Sequence, residues 1–457
     1  MTDVKVVTFV ALSIFLPGSC FAPRLNPLDP ENPNTATSFS VKVRHDFAGT
    51  DTLSDVDTFS LEVFSAEHDV ALTIWEFDTC GDGSIDVVDT LFASSRIYMA
   101  PWGRTREIKV NATVVGEAGA RGRDSITILP RWRPFDTLAG IDAGEVSALA
   151  VDSNNIPWVG FMGGVLARYD GRTWEKNSAP VARPGKVSAI LVNEDNSKWI
   201  GINAGESGVN ANGGLWLLSV DNRWMLNTSD IRYISGLGRE NRERLWLLAH
   251  DRGVFSLEVG GGSIDTIKFD TLFWEADLLD TIPTTAINVG TSPDGDVWLG
   301  TQSRGLFYRS DKGIWHNYSS AGSIDAAGNA LDFELPADRV DALAVAPDNS
   351  VWISSGGALI HYHPDHGVLD VTVQGQKFLN KPDKIRSIAF SPSGEIWVGM
   401  WSGLACIDPD GTWQKFTTDN SGLPHNSVEN ITLDRQNNVW LMTGKGGVVR
   451  YHRYNKL

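Results

Sequence analysis

Cysteine is scarce: three occur in 457 residues, at positions 20, 80 and 406, far apart along the chain. That spacing argues against a disulfide framework, and Cys406, inside GLACID, reads as a buried strand residue. Clustered positive charge is also missing. Thirty-nine Lys and Arg face 56 Asp and Glu, a formal net charge of −17, and no basic run offsets it. Nucleic acid and anionic membrane surfaces are therefore poor candidate partners, and the charge reads as a solvated acidic surface. No stretch has the pattern of a long amphipathic helix. None is apolar for long enough to span a bilayer.

What is plentiful is tryptophan and glycine, 17 and 45 residues respectively. Seven of the tryptophans form a ladder: Trp158, Trp199, Trp246, Trp298, Trp352, Trp397 and Trp440. Each sits in a short β-rich segment (PWVG, KWIG, LWLL, VWLG, VWIS, IWVG, VWLM). In most copies an apolar strand such as VSALAV or IRSIAF precedes it, separated by a turn such as DSNN or SPDG. A glycine and a further apolar run follow, opening at Gly164, Gly214, Gly253, Gly305, Gly357, Gly403 and Gly447. Several copies add a Trp-x-x-aromatic strand, as in Trp315–Tyr318 and Trp413–Phe416.

Seven copies with four strands each predict an all-β fold, a seven-bladed β-propeller. One four-stranded sheet that is apolar on both faces cannot bury them alone. A closed ring places each sheet between two neighbours and leaves no terminal sheet exposed. The ladder tryptophans are then core residues, each worth about 3–5 kcal/mol on truncation to Ala. The seventh copy lacks its outer strand. Trp132-Arg-Pro-Phe135 has the Trp-x-x-aromatic pattern and precedes the first copy. We therefore expect this N-terminal strand to complete the last blade. Pro134 is tolerable there because the strand is an edge.

Ahead of the propeller, residues 1–20 read as an export signal, with Lys5 before an apolar run from Val6 to Leu16. Two outcomes stay open: acylation at Cys20, since small residues just before a Cys resemble the bacterial lipoprotein motif, or plain secretion with cleavage near Ala22. Residues 21–37, rich in Pro and Asn, read as a tether. Residues 38–131 alternate at period 2 and predict a small Ig-like β-sandwich. Ala71–Phe77 followed by Gly81-Asp82-Gly83 resembles the tryptophan strand and Gly-Asp-Gly turn of the polycystic kidney disease (PKD) repeat. The resemblance implies a spacer or carbohydrate-proximal module. Asp78, Asp82 and Asp86 share an Asp/Gly-rich turn, which is either a plain turn or a weak site for a hard cation such as Ca²⁺. No cofactor is otherwise expected.

The repeats of residues 132–457 resemble the two-component regulator propeller repeat, best over Val187–Gly201, Asn288–Arg309, Ile385–Asp408 and Val428–Tyr451. The resemblance implies a periplasmic sensor head, often for glycans, that normally precedes a transmembrane helix and a histidine kinase. No kinase domain is read in this chain, so its own role is expected to be binding. The membrane contact expected of it is a lipid anchor only, in the periplasm or at the outer membrane.

In a four-stranded blade, the loops between blades and the loops between strands two and three open on one face. Two insertions, residues 202–213 and 319–338, fall on such loops, which makes this rim the expected binding face. Its turns offer Met162, His250, Asp251, Arg252, Gln302, Arg304, Trp401 and Lys445. Trp401 stands outside the ladder; an aromatic platform beside Arg and Asp would suit a sugar, and plain solvated turns would look the same in sequence. His361, His363 and His366 cluster with Asp365 on the other face, where a metal is conceivable.

Three functions compete. The first is an exported, non-catalytic propeller that binds a glycan or an envelope protein. The second is a lyase similar to the virginiamycin B lyase family, whose chemistry needs a His base, for which His250 is the rim's candidate. The third is a structural factor in envelope assembly or secretion.

Overall fold

The computed structural model describes residues 42–453 apart from 52–55, 65–69, 80–83, 92–94, 102–107, 117–120, 129–130, 136, 139, 143–145, 180–183, 205–212, 229–230, 232, 242, 250–252, 260–266, 271–285, 326, 365, 371–382 and 445–446. The chain divides into two compact units. The smaller is built around Phe59–Tyr98 and Ile108–Ile128, and the larger takes in Leu129–Leu457.

Two sheets precede the propeller in the chain, and the four-stranded one is antiparallel throughout. Lys42–Asp51, Val56–Phe64 and Ser95–Pro101 form one of three strands. Val87–Leu91, Val70–Asp78, Ile108–Gly116 and Arg121–Ile128, in that spatial order, form one of four. Period-2 alternation drives their burial: Leu61 and Val63 on the first sheet, and Val110, Ala112 and Val114 on the second, are buried. Trp75 and Phe77 are buried alongside them.

The larger unit is a closed seven-bladed propeller. Blade 1 runs Val146–Val151, Pro157–Phe161, Val165–Tyr169, Trp174–Ser178, each strand antiparallel to the last. Blades 2 to 6 repeat this order from inner strands Pro184–Val192, Ile234–Arg239, Ala286–Thr291, Val340–Val345 and Ile385–Phe390. Blade 7 contains Val428–Leu433, Val439–Thr443 and Gly447–Tyr451, and its fourth strand is Trp132–Phe135. Trp132 pairs with Tyr451 and Phe135 with Val448, so the closure expected from the sequence is made. The inner strands of neighbouring blades lie side by side around the whole circuit, the seventh against the first.

Seven apolar clusters fill the seven seams, and every one contains one ladder tryptophan facing the next blade. Trp158, for example, packs with Val187, Ile200 and Trp216 of blade 2. The seams are tight: a Cβ added to Gly160 would lie 2.5 Å from Val187 Cγ1, so only glycine allows this approach. Trp132 joins the seam between blades 6 and 7, and Phe135 the seam between 7 and 1, so the closing strand seals both faces of the last blade. Cys406 is buried in its strand, as expected.

One of the two insertions is folded into the scaffold. The 319–338 insertion does not hang free over the rim. Ser323–Ile324 and Ala330–Leu331 extend blade 4 as a fifth and sixth strand, joined to the blade where Asn317 pairs with Ile324. The segment then turns in, packing Phe333 and buried Leu335 against Tyr318 and Tyr362 in the seam between blades 4 and 5. Apolar side chains inside a polar-looking loop are the physical reason. Most of the other insertion, residues 205–212, lies outside the described residues.

Candidate functional site

The rim is set by two local devices repeated in every blade. First, each turn between strands two and three closes with a glycine at positive φ, as at Gly305 (φ 77°). A Cβ there would meet the Tyr318 carbonyl oxygen at 1.9 Å, and the Gly305 amide donates to the Asp338 carbonyl at 2.7 Å. Second, each inner strand carries a β-bulge where the register against the next strand slips, at the strand's second residue in six blades and at Ser188 within the longer strand of blade 2. Bulges re-aim a side chain and bend the strand.

The seven bulge residues are Ser147, Ser188, Ser235, Ile287, Asp341, Arg386 and Glu429. Those of blades 1 to 3 serve the scaffold. Ser147 Oγ donates to the Val187 carbonyl of the next blade at 2.6 Å, and Ser235 Oγ to the Ala286 carbonyl at 3.1 Å. Ser188 Oγ instead donates within its own blade, to the Gly201 carbonyl at 3.3 Å. Blades 5 to 7 place charges at the same position. Arg386 forms an ion pair with Glu429 of the following blade, and Asp341 pairs with Arg339 at 2.5 Å. The rim therefore has a structural sector and a charged one.

Trp401 stands in the charged sector. It is 52% exposed, in the turn after strand two of blade 6, and its amide donates to the Lys384 carbonyl at 3.1 Å. Lys384 Nζ lies 4.9 Å from the centre of its ring and the Arg386 guanidinium carbon 6.0 Å. Next to the indole, Lys415 Nζ donates to Ser402 Oγ at 2.6 Å, and that hydroxyl donates to the Asp383 carboxylate. Glu429 also accepts from Ser427 Oγ at 2.6 Å. An open indole, fixed cations and hydrogen-bonding groups thus converge on one patch, which can stack a flat ligand and bind its polar substituents.

The other rim residues singled out by sequence are more dispersed. Met162 is 56% exposed on a short 3₁₀ turn of blade 1. Gln302 and exposed Arg304 belong to the turn of blade 4, where the Arg304 amide donates to Thr301 Oγ1 at 2.9 Å and its carbonyl accepts from Asn317 at 3.0 Å. His250, Asp251, Arg252 and Lys445 lie outside the described residues, although neighbouring Gly444 packs against Ser427 and Glu429. Lys384, Arg386, Asp383, Lys415 and Glu429 were not anticipated. For Arg386 and Glu429 the signal was in the sequence: a charged residue right after the first apolar residue of the repeat (Ile385, Val428), where blades 1 to 3 have serine after Val146, Val187 and Ile234.

Of the cation candidates, Asp78 is buried and Asp86 accepts from the Thr79 amide and hydroxyl, both at 2.7 Å, while Asp82, like Cys20 and Cys80, lies outside the described residues. His361 stacks on Trp352 with centroids 4.4 Å apart, and His363 lies against His366 at 4.6 Å. Asp365 is outside the described residues. A cavity of about 350 Å³ opens at the opposite end of the inner strands of blades 6 and 7, lined by Phe390, Pro392, Ile431, Leu433, Asp434 and Arg435 among others.

No family model matches the sequence, and no curated protein does. Solved structures do. The extracellular domain of the hybrid two component system BT4673 from B. thetaiotaomicron is 20% identical at a TM-score of 0.52, over 71% of this chain and 40% of that chain. That of BT3049 from the same organism is 17% identical at a TM-score of 0.50, over 67% of this chain and 40% of that chain. The present chain thus spans about two fifths of the length of these neighbours. In fold, the chain is similar to the extracellular domains of hybrid two component systems, in keeping with the resemblance carried by its repeats.

Proposed function

We propose that this chain is an exported, non-catalytic binding propeller that recognises a saccharide on the rim around Trp401. The observation that carries the reading is the half-exposed indole held beside Lys384 and Arg386 on the rim of the ring. Stacking on a flat aromatic face, with polar groups at its edge, is a common way to hold a sugar ring. The likeness to extracellular domains of signalling proteins supports a sensing role outside the cytoplasm. In this reading Cys20 carries a lipid anchor, residues 21–37 are the tether, the smaller β unit is a spacer, and any downstream signal passes through an envelope partner.

Titration calorimetry against a panel of envelope and plant oligosaccharides tests it, with wild type compared against Trp401→Ala. Binding that weakens by more than about tenfold in the variant, with an unchanged melting temperature, is expected. A wild-type protein that binds no saccharide but captures an envelope protein would overturn the reading. So would turnover of a bound saccharide.

A further inference from the structure

We infer that the saccharide taken at Trp401 is anionic, carrying a carboxylate or sulfate that meets Lys384 with Arg386 beside it. The inference rests on the saccharide reading above and narrows its ligand class.

Three observations lead there. The fold does not require charge at this place: serine fills the bulge in blades 1 to 3 with neutral hydrogen bonds, whereas blade 6 carries Arg386 there, paired with Glu429 of blade 7. The carboxylates of the patch are engaged already. Glu429 takes Arg386 and Ser427, and Asp383 takes the Ser402 hydroxyl, which in turn accepts from Lys415. Lys384 differs. It is exposed, its ammonium lies over the Trp401 ring, and no ion pair joins it to a carboxylate among the described residues.

Among the described residues of the patch, three cations (Lys384, Arg386, Lys415) stand against two carboxylates (Asp383, Glu429), on a chain whose net charge is −17. A cation–π contact orients the Lys384 ammonium without neutralising it. A sugar stacked on the open indole brings an acidic substituent within reach of that charge, where a charge-assisted hydrogen bond forms. A neutral sugar would gain the stacking and ordinary hydrogen bonds, without the charge-assisted one.

The test uses paired probes that differ in charge: trigalacturonate with its methyl ester, and a heparin oligosaccharide with its desulfated form. Each is titrated into wild type, Lys384→Gln and Trp401→Ala. Lys384 is exposed, so its variant should fold normally, and an unchanged melting temperature verifies this. For at least one pair we expect the acid to bind about tenfold more tightly than its neutral partner. Lys384→Gln should lower the acid's affinity to about that of its neutral partner and so remove the preference, while Trp401→Ala should weaken both. Acid and neutral forms binding equally would overturn the anionic class and leave the saccharide reading standing. An acid preference that survives Lys384→Gln would overturn the assignment to this lysine. Binding by no member of either pair would overturn the inference, and the panel of envelope and plant oligosaccharides described above then decides the saccharide reading separately.

Discussion

Asp152 and Lys198 carry opposite charges into the seam between blades 1 and 2, where both side chains are almost fully buried. The Lys198 ammonium is 3.2 Å from the carboxylate and lies over the Trp158 ring at 4.2 Å, and the Trp158 indole N–H donates to Asp152 at 3.0 Å. Removing Asp152 would strand a buried cation and a buried indole donor together. Asp152→Ala should therefore cost about 3–5 kcal/mol in urea unfolding, and adding Lys198→Met should recover much of it. A single variant within about 1 kcal/mol of wild type would contradict the seam's electrostatics. The same acid, six residues before the tryptophan, serves Trp246 through Glu240 at 2.7 Å and Trp440 through Asp434 at 3.2 Å. Trp298 and Trp397 have serine there, and their indole nitrogens find no partner among the described residues. The ladder itself was legible from repetition. Its polar partner was not, because it changes from blade to blade.

His361 offers a pH test at the same scale. Burial against Trp352 holds its imidazole pKa below the ordinary histidine range; Asp348 opposes this and His363 adds to it. The folded state then takes up a proton less readily than the unfolded chain. Below about pH 6.5 the unfolded state binds more protons, so stability falls on acidification. His361→Phe should flatten that limb of the melting-temperature profile, and an unchanged slope would refute the effect.

At the scale of the element, the rim turns and the blade 4 extension carry the specific constraints. Gly305→Ala combines a left-handed backbone with a contact to the Tyr318 carbonyl, and should cost more than about 1–3 kcal/mol in thermal unfolding. Leu335→Ala should cost about 2–5 kcal/mol, as a core substitution does, although Leu335 lies in what reads as a surface insertion. A neutral outcome would mean that the insertion is detachable. Strand period and turn residues were readable because they follow from side-chain alternation and backbone freedom. The insertion's packing was not readable, since its apolar residues are spaced irregularly. The bulge was also hidden: so close to the start of a short strand, the slip leaves too few residues ahead of it to show in the hydrophobic alternation. Yet it is what brings Arg386 and Glu429 to the same sector as Trp401.

For the whole molecule, the number of blades and the closing strand could be deduced from burial, because seven equivalent sheets with a missing outer strand need a donor. The binding sector could not be deduced in the same way. It arises from residues of blades 6 and 7 that meet only when the ring is formed. Everything at the rim therefore depends on closure by Trp132–Phe135. Among the described contacts, the His452 amide donates to the Arg131 carbonyl at 2.6 Å, and by strand alternation the amides of Arg450 and Val448 face the same neighbour. Hydrogen–deuterium exchange at these three amides is the most direct test. In the intact chain they should exchange as slowly as the blade cores, and in a chain beginning after Phe135 they should exchange as an open edge does. Equal, fast exchange in both chains would show that the ring is not closed by this strand, and the rim built on that closure would have to be abandoned.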